Sequence, residues 1–243
     1  RAKRICPALM VTVAIFVGLG YFLIGSGDLK RLAYEGFTAL LFLSNMHFAQ
    51  KTDYFGNSAL DQPFLHTWSL SVEWQFYIFY PILILILHRF LKTQYLARFL
   101  VILTALSVFF AAWCTIEYPR YSYYILPSRA FEMLFGALAY FYPLQFFQNS
   151  FKSENARGRS ILGASSLARI VCALKPWHVE LLGLIIIAIS LAFIDDAHGW
   201  PTLWAVIPLI GAYLCIAANN HNSLLSNVVF QKLGLWSYAI YLA

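Results

Sequence analysis

The chain has 243 residues, of which 60% are hydrophobic and only 12% carry a charge. Soluble domains carry roughly 25% charged residues, so this composition does not suit a surface that faces water. The net charge of +6 does not indicate nucleic-acid binding, because basic and aromatic residues do not alternate as they do in single-strand-binding proteins. The composition therefore predicts an integral membrane protein whose outer face contacts lipid, and it excludes nucleic acid as a partner.

The apolar runs predict an all-α, polytopic transmembrane bundle with about seven or eight membrane segments, since a span needs about 20 apolar residues. In chain order the predicted segments are 7–24, 37–48, 68–87, 99–116, 124–142, 181–194, 203–218 and a last one that begins near residue 228. The sequence shows no internal repeat. We therefore expect residues 1–243 to form a single integral-membrane domain.

Basic residues predict the orientation of these segments, because lysine and arginine collect on the cytoplasmic side. The stretch RAKR at 1–4 precedes the first segment, and further basic residues lie within 88–98. Both stretches are cytoplasmic only if the short segment 37–48 does not cross fully. We therefore expect 37–48 to be re-entrant or interfacial, 49–68 to lie on the outer side, and 144–178 to form a basic cytoplasmic loop.

A polar stretch, HTWSLSVEWQFY at 66–77, opens the third segment. Ser69 and Glu73 are four residues apart and share one face of a helix, which Tyr77 continues. Gln75 points elsewhere, and we expect it to bond a neighbouring helix. An ionised carboxylate in hydrocarbon costs a few kcal/mol, so Glu73 must be paired, protonated or hydrated.

A second polar cluster lies in the fifth segment, where Arg129, Glu132 and Gly136 share one helix face. Arg129 can pair with Glu132 or reach across to Glu73, and Gly136 would let another helix approach closely. The two acids and the arginine either line a polar cavity or form a salt bridge that only fixes the packing of helices.

Two further features remain open between function and structure. Arg1 and Arg4 straddle one helical turn at the predicted cytoplasmic edge, where two guanidinium groups could hold phosphates or serve only to set the topology. His66 is either a functional side chain or a loop residue that forms a hydrogen bond.

The run HTWSLSVEWQFYIFYP at 66–81 closely resembles a signature stretch of the membrane acyltransferase-3 family, the bacterial O-acyltransferases that modify O-antigens of lipopolysaccharide, peptidoglycan and exported glycans. The stretches RAKRICPAL, LLFLSN with TDYF, PSRAFEMLFGALAY and GLWSYAIYLA are similar to other parts of that family in the same order. The resemblance covers essentially the whole chain. One departure is Trp74, which stands where many members have a second acid.

The resemblance implies transfer of an acyl group, usually acetyl, from cytoplasmic acetyl-CoA to a glycan hydroxyl at the outer face of the bacterial inner membrane. The implied partners of this multi-pass protein are membrane lipid, acyl-CoA and the glycan acceptor, with no metal. By resemblance, Arg1 and Arg4 hold the phosphates of coenzyme A. The catalytic candidates are Glu73, His66, Arg129 and Glu132. The substrate-binding candidates are Trp68, Ser69, Ser71, Gln75 and Tyr77.

The family's catalytic histidine lies in a helix upstream of the RxxR stretch, with which this chain opens. That role is therefore not transferred to His66, and we expect the 243 residues alone to be inactive. The alternative is a transporter of a polar or anionic small molecule that uses Glu73 and Arg129 as substrate partners. Transporters of that kind are commonly built from inverted repeats, which this sequence does not show.

Overall fold

The computed structural model describes residues 2–51, 62–145, 175–193, 203–220 and 223–242. Across these ranges the regular structure is entirely helical, which confirms the all-α prediction. The helices are α1 (Ala2–Leu23), α2 (Ser26–Leu40), α3 (Ser44–Lys51), α4 (Thr67–Phe90), α5 (Thr93–Glu117), α6 (Pro119–Tyr124), α7 (Leu126–Phe141), α8 (Pro176–Phe193), α9 (Val206–Ala218) and α10 (Val228–Leu242). Short 3₁₀ turns at Leu203–Ala205 and Leu224–Ser226 precede α9 and α10.

Four helices in the described part of the chain are long and apolar enough to cross a membrane. They are Ile5–Leu23, Thr67–Phe90, Thr93–Glu117 and Pro176–Phe193, with mean hydropathies from 1.7 to 2.3. Most of their surface is not covered by protein, and large apolar side chains such as Phe22, Leu85 and Phe109 are exposed. Exposed side chains of this kind fit a lipid environment, so the all-α membrane architecture is confirmed.

The remaining predicted segments are shorter helices. α7, α9 and α10 contain 16, 13 and 15 residues, fewer than the roughly 20 of a routine span. The predicted cytoplasmic loop 144–178 lies mostly outside the described residues, because 146–174 are not among them.

The predicted segment 37–48 is divided by a break between α2 and α3. Phe42 lies at this break with φ of 56°, a left-handed conformation that costs a bulky residue about 1–2 kcal/mol. Its ring stacks on Trp74 with centroids 4.4 Å apart, and its carbonyl accepts a hydrogen bond of 3.1 Å from Gln75 Nε2. These contacts with α4 offset the strain. The segment is therefore two helices joined at a fixed break, and its place relative to the membrane stays a prediction.

The chain divides into two compact units, of which the first comprises residues 1–90, 110–129 and 227–243. Within it, the ring of Phe64 lies 5.5 Å from that of Phe16, near the middle of α1. Farther along the chain, Ser69 lines the same cavity as Ile5, at the start of α1. α4 therefore begins beside the middle of α1 and runs antiparallel to it, toward its start.

The chain leading into α4 packs closely against α1, since Phe64 lies beside α1 and is fully buried. The location of residues 49–68 on the outer side of the membrane stays a prediction. Residues 52–61, which belong to the same predicted outer stretch, lie outside the described residues. The charge pattern alone could not predict the burial of Phe64, because charges indicate the side of the membrane on which a loop lies and not which helices it packs against.

The second unit comprises residues 91–109 and 130–226. Its α8 and α9 cross at two glycines: a Cβ added to Gly183 would lie 2.5 Å from the Gly211 carbonyl oxygen, and one added to Gly211 would lie 2.7 Å from that of Gly183. Buried Glu180 accepts a hydrogen bond of 2.7 Å from Asn220 Nδ2 and another from the Ser223 hydroxyl. The segment after α9 is thereby tied to the start of α8.

The close helix approach expected at Gly136 is not present in the described structure. A Cβ added there would meet no atom within 4 Å, and the residue is exposed. That prediction was wrong, because a glycine in a sequence does not reveal which helix, if any, packs over it.

Candidate active site

One face of α4 packs against α3 through polar side chains. The Ser44 hydroxyl lies 2.7 Å from that of Ser71 and accepts a hydrogen bond of 3.0 Å from Thr67. Gln75 Nε2 donates to Asn45 Oδ1 at 3.0 Å, which confirms that Gln75 bonds a neighbouring helix. Both Ser71 and Gln75 thus serve the packing of helices, and their expected role in substrate binding stays a prediction.

The adjacent face of α4 lines a cavity of about 450 Å³ in the first unit, here called the Glu73 cavity. Its walls come from the starts of α1 and α4 and from α10. The lining residues are Ile5, Ser69, Leu70, Glu73, Tyr77, Gly234, Ser237, Tyr238 and Tyr241. The predicted shared face of Ser69, Glu73 and Tyr77 is therefore confirmed, and the Glu73 side chain is exposed.

The residue that follows the RAKR stretch lies at this cavity. Ile5 lines it and follows Arg4, which lies within α1. Arg1 is outside the described residues, and only the backbone of Arg4 is described. The role of the two arginines in binding coenzyme A phosphates therefore stays a prediction, although the helix that carries Arg4 and the Glu73 face border the same space.

Two tyrosines of α10 form part of the wall of the cavity. The Tyr238 hydroxyl donates a hydrogen bond of 2.9 Å to the Ile5 carbonyl. The Tyr241 hydroxyl lies 2.8 Å from Ser69 Oγ and also donates to the His66 carbonyl. Sequence reasoning missed Tyr241, although Gly234, Ser237, Tyr238 and Tyr241 follow a helical spacing of three and four that places them on one face.

His66 lies in the turn before α4, and its ring packs edge-on against Tyr241 with centroids 5.5 Å apart. Burial lowers the pKa of His66 below its usual value, and a hydrogen bond to the Pro63 carbonyl opposes part of this shift. Nε2 is buried and has no hydrogen-bond partner among the described residues, so Nδ1 donates to Pro63. A neutral imidazole held through Nδ1 leaves the lone pair of Nε2 available to accept a proton.

Arg129, at the start of α7, packs against aromatic rings. Its guanidinium carbon lies 5.3 Å from the centroid of Trp68 and 5.5 Å from that of Tyr123. Cations within about 6 Å of an aromatic face are attracted to it, so buried Trp68 helps to hold Arg129 in place. Glu132 follows one turn later and is partly buried. The predicted pairing of Arg129 with Glu73 or Glu132 stays a prediction.

Comparison with known proteins identifies the family of the chain. The model of a membrane acyltransferase domain, of the acyltransferase-3 type, matches residues 1–243, which is the whole chain. The chain belongs to this acyltransferase family. No solved structure matches the chain.

Several curated relatives of this chain carry related names. The peptidoglycan O-acetyltransferase OatA of Listeria monocytogenes is 26% identical over all of this chain and 38% of its own length. The putative membrane-bound transacylase BcsY of Komagataeibacter xylinus is 33% identical over 59% of this chain and 36% of its own length. A putative O-acetyltransferase of Staphylococcus aureus strain COL is 33% identical over 41% of this chain and 16% of its own length. The chain thus spans less than two-fifths of each of these three relatives.

The Glu73 cavity brings several polar side chains together in one place. Glu73 and the hydroxyls of Ser69 and Tyr241 border a space large enough for a small ligand, since such sites occupy about 300–1,000 Å³. An imidazole with an available nitrogen packs directly behind Tyr241. The cavity therefore combines a carboxylate and hydroxyl groups beside the helix that carries Arg4, with the His66 imidazole behind its wall.

Proposed function

We propose that the complete protein transfers an acetyl group from cytoplasmic acetyl-CoA to a hydroxyl of a cell-envelope glycan, as a multi-pass enzyme of the bacterial inner membrane. One observation carries the proposal: the start of α1, directly after RAKR, lines the same cavity as Glu73 and Ser69. A donor held by phosphates at Arg1 and Arg4 would then have its thioester within reach of the polar face of α4.

The chemistry follows from the groups around that cavity. A base removes the proton of the acceptor hydroxyl, whose oxygen attacks the thioester carbonyl. A new C–O bond forms, the C–S bond breaks, and the coenzyme A thiolate takes up the proton from the base. His66 Nε2 supplies an accepting nitrogen, and we assign Glu73 to orienting either the base or the acceptor through hydrogen bonds.

The acceptor follows by analogy with the relatives. OatA is named for acetylation of peptidoglycan, which makes a peptidoglycan-type glycan our first choice of substrate. Lipopolysaccharide is the second choice, since it too is a glycan of the cell envelope. A protein that joins a cytoplasmic donor to such an acceptor needs polar groups that are kept away from lipid.

A first prediction tests this assignment with the complete protein in lipid nanodiscs, acetyl-CoA and unacetylated glycan fragments. Glu73→Gln removes the charge and Tyr241→Phe removes the hydroxyl bonded to Ser69 and His66, so each should lower kcat/KM by about tenfold or more. Tyr140→Phe is the matched control, because Tyr140 is 81% exposed and does not line the cavity. Wild-type activity in both Glu73→Gln and Tyr241→Phe would refute the assignment.

A further inference from the structure

A second cavity lies in the first unit, apart from the site described above. It has a volume of about 410 Å³ and is here called the Glu35 cavity. Its lining residues are Ile24, Asp28, Arg31, Leu32, Glu35 and Pro63. None of them lines the Glu73 cavity, and none was singled out by the sequence. Its volume lies in the range of about 300–1,000 Å³ that small-ligand sites occupy.

The charged groups of this cavity lie on one face of α2. Glu35 is only 2% exposed, and its Oε1 lies 3.9 Å from Arg31 Nε. The Arg31 side chain is 51% exposed, so a ligand in the cavity can reach it. Asp28 lies one turn earlier and is exposed.

Burial of a carboxylate next to membrane helices is costly, and such residues usually serve binding or transport. Here two carboxylates accompany one guanidinium. This balance disfavours a phosphate or another anion, because Asp28 and Glu35 would repel it. It suits a neutral ligand rich in hydroxyl groups, whose protons the carboxylates accept while Arg31 donates to ring or carbonyl oxygens.

The two cavities lie at opposite ends of α1. Ile5 lines the Glu73 cavity, whereas Ile24, the residue directly after α1, lines the Glu35 cavity. The helix between them, Ile5–Leu23, is about 27 Å long at 1.5 Å per residue. This length is close to the roughly 30 Å of the hydrocarbon core. If the basic end of α1 is cytoplasmic, the Glu35 cavity lies at the outer end of that helix.

One short turn connects the two cavities. Pro63 lines the Glu35 cavity, and its carbonyl accepts the hydrogen bond of His66. On its other side, His66 packs against Tyr241, which lines the Glu73 cavity. The His66 imidazole is therefore held by a wall residue of each cavity and lies between the two cavities.

We propose that Asp28, Arg31 and Glu35 bind the uncharged sugar units of the acceptor glycan on the outer side of the membrane. This proposal rests on the proposed function and extends it, because it separates the acceptor site from the donor site. The carboxylates hold pairs of sugar hydroxyls, and the side chains of Ile24, Leu32 and Pro63 offer an apolar surface to the C–H face of a sugar ring.

Equilibrium binding to the complete protein in lipid nanodiscs tests the proposal, with a soluble N-acetylglucosamine tetrasaccharide as the probe. Asp28→Asn, Arg31→Gln and Glu35→Gln should each weaken tetrasaccharide binding by about tenfold, as expected when a site loses a polar contact that the ligand requires. All three should leave acetyl-CoA binding within twofold of wild type. Lys30→Gln is the matched control, since Lys30 is exposed on the same helix and does not line the cavity.

The outcomes separate this proposal from the proposed function. Absence of tetrasaccharide binding by the wild type, or equal affinity in wild type, Asp28→Asn and Arg31→Gln, would overturn the acceptor site even if acetyl transfer is observed. Asp28 and Arg31 are exposed, so these two variants should fold even if Glu35→Gln does not. Conversely, tetrasaccharide binding that depends on Asp28, in a protein that neither binds nor hydrolyses acetyl-CoA, would support the sugar site and refute the acyltransfer.

Discussion

At the scale of single residues, His66 shows how surroundings decide the chemistry of a side chain. The sequence leaves open whether it is functional or a loop residue with a hydrogen bond. The structure shows the hydrogen bond, since one ring nitrogen donates to the Pro63 carbonyl and the other is buried without a partner among the described residues; a functional role stays a prediction. The hydrogen bond fixes the orientation of the ring. The second nitrogen keeps a lone pair that can accept a proton.

The lowered pKa of His66 predicts how stability depends on pH. The folded protein favours the neutral imidazole, whereas the unfolded chain takes up a proton near the usual pKa of about 6.5. Stability is therefore fully retained above that pH and falls as the pH drops from 6.5 toward the lower pKa of the folded state. His66→Gln should weaken this loss, measured as the thermal unfolding midpoint between pH 5 and pH 8 in detergent.

The control for this pH experiment is His88→Gln, at the exposed C-terminal end of the same helix. It should leave the pH dependence of the wild type unchanged. An identical pH dependence in wild type and His66→Gln would contradict the role of burial at His66.

At the scale of elements, α4 shows how one helix serves two purposes. Its Thr67, Ser71 and Gln75 are four residues apart and bond α3, while Ser69, Glu73 and Tyr77 are four apart and line the Glu73 cavity. Helical periodicity predicts that each set shares a face. It does not predict which helix each face meets, because both sets are polar and equally able to form hydrogen bonds.

The crossing of α8 and α9 allows a sharp test of helix packing. Gly183→Ala would place a Cβ 2.5 Å from the Gly211 carbonyl oxygen, and relieving that overlap should cost about 1–3 kcal/mol. The expected result is a lower thermal unfolding midpoint. Gly136→Ala is the control, because its Cβ would meet nothing within 4 Å and alanine favours a helix by about 0.5–1 kcal/mol. Equal midpoints for the two variants would contradict the close crossing.

At the scale of the whole molecule, the orientation of α1 decides which cavity faces which side. The helix carries Lys3 near one end, and Gly27 follows its other end; both are exposed. If the basic end is cytoplasmic, a cysteine at each position should react with an impermeant maleimide from opposite sides of the membrane. Labelling uses cells and inverted vesicles, with the native cysteines replaced by serine.

In that experiment Gly27→Cys should be labelled in intact cells once the outer surface is made accessible, and Lys3→Cys only in inverted vesicles. The reverse pattern would place the Glu35 cavity inside and exclude an outer acceptor there. Labelling of both positions from one side would show that α1 does not cross the membrane.

The sequence by itself determined the helical class, the membrane setting, the family and the shared face of Ser69, Glu73 and Tyr77. These properties depend on composition and on the helical period, which are local and can be read along the chain. Only the tertiary structure decided that α10 closes the Glu73 cavity through Tyr241, that Phe42 breaks the segment 37–48, and that Glu35 lines a second cavity. Each of these depends on contacts between helices far apart in the chain. A hydrophobic pattern predicts that a helix face is buried, but it does not predict which helix packs against that face.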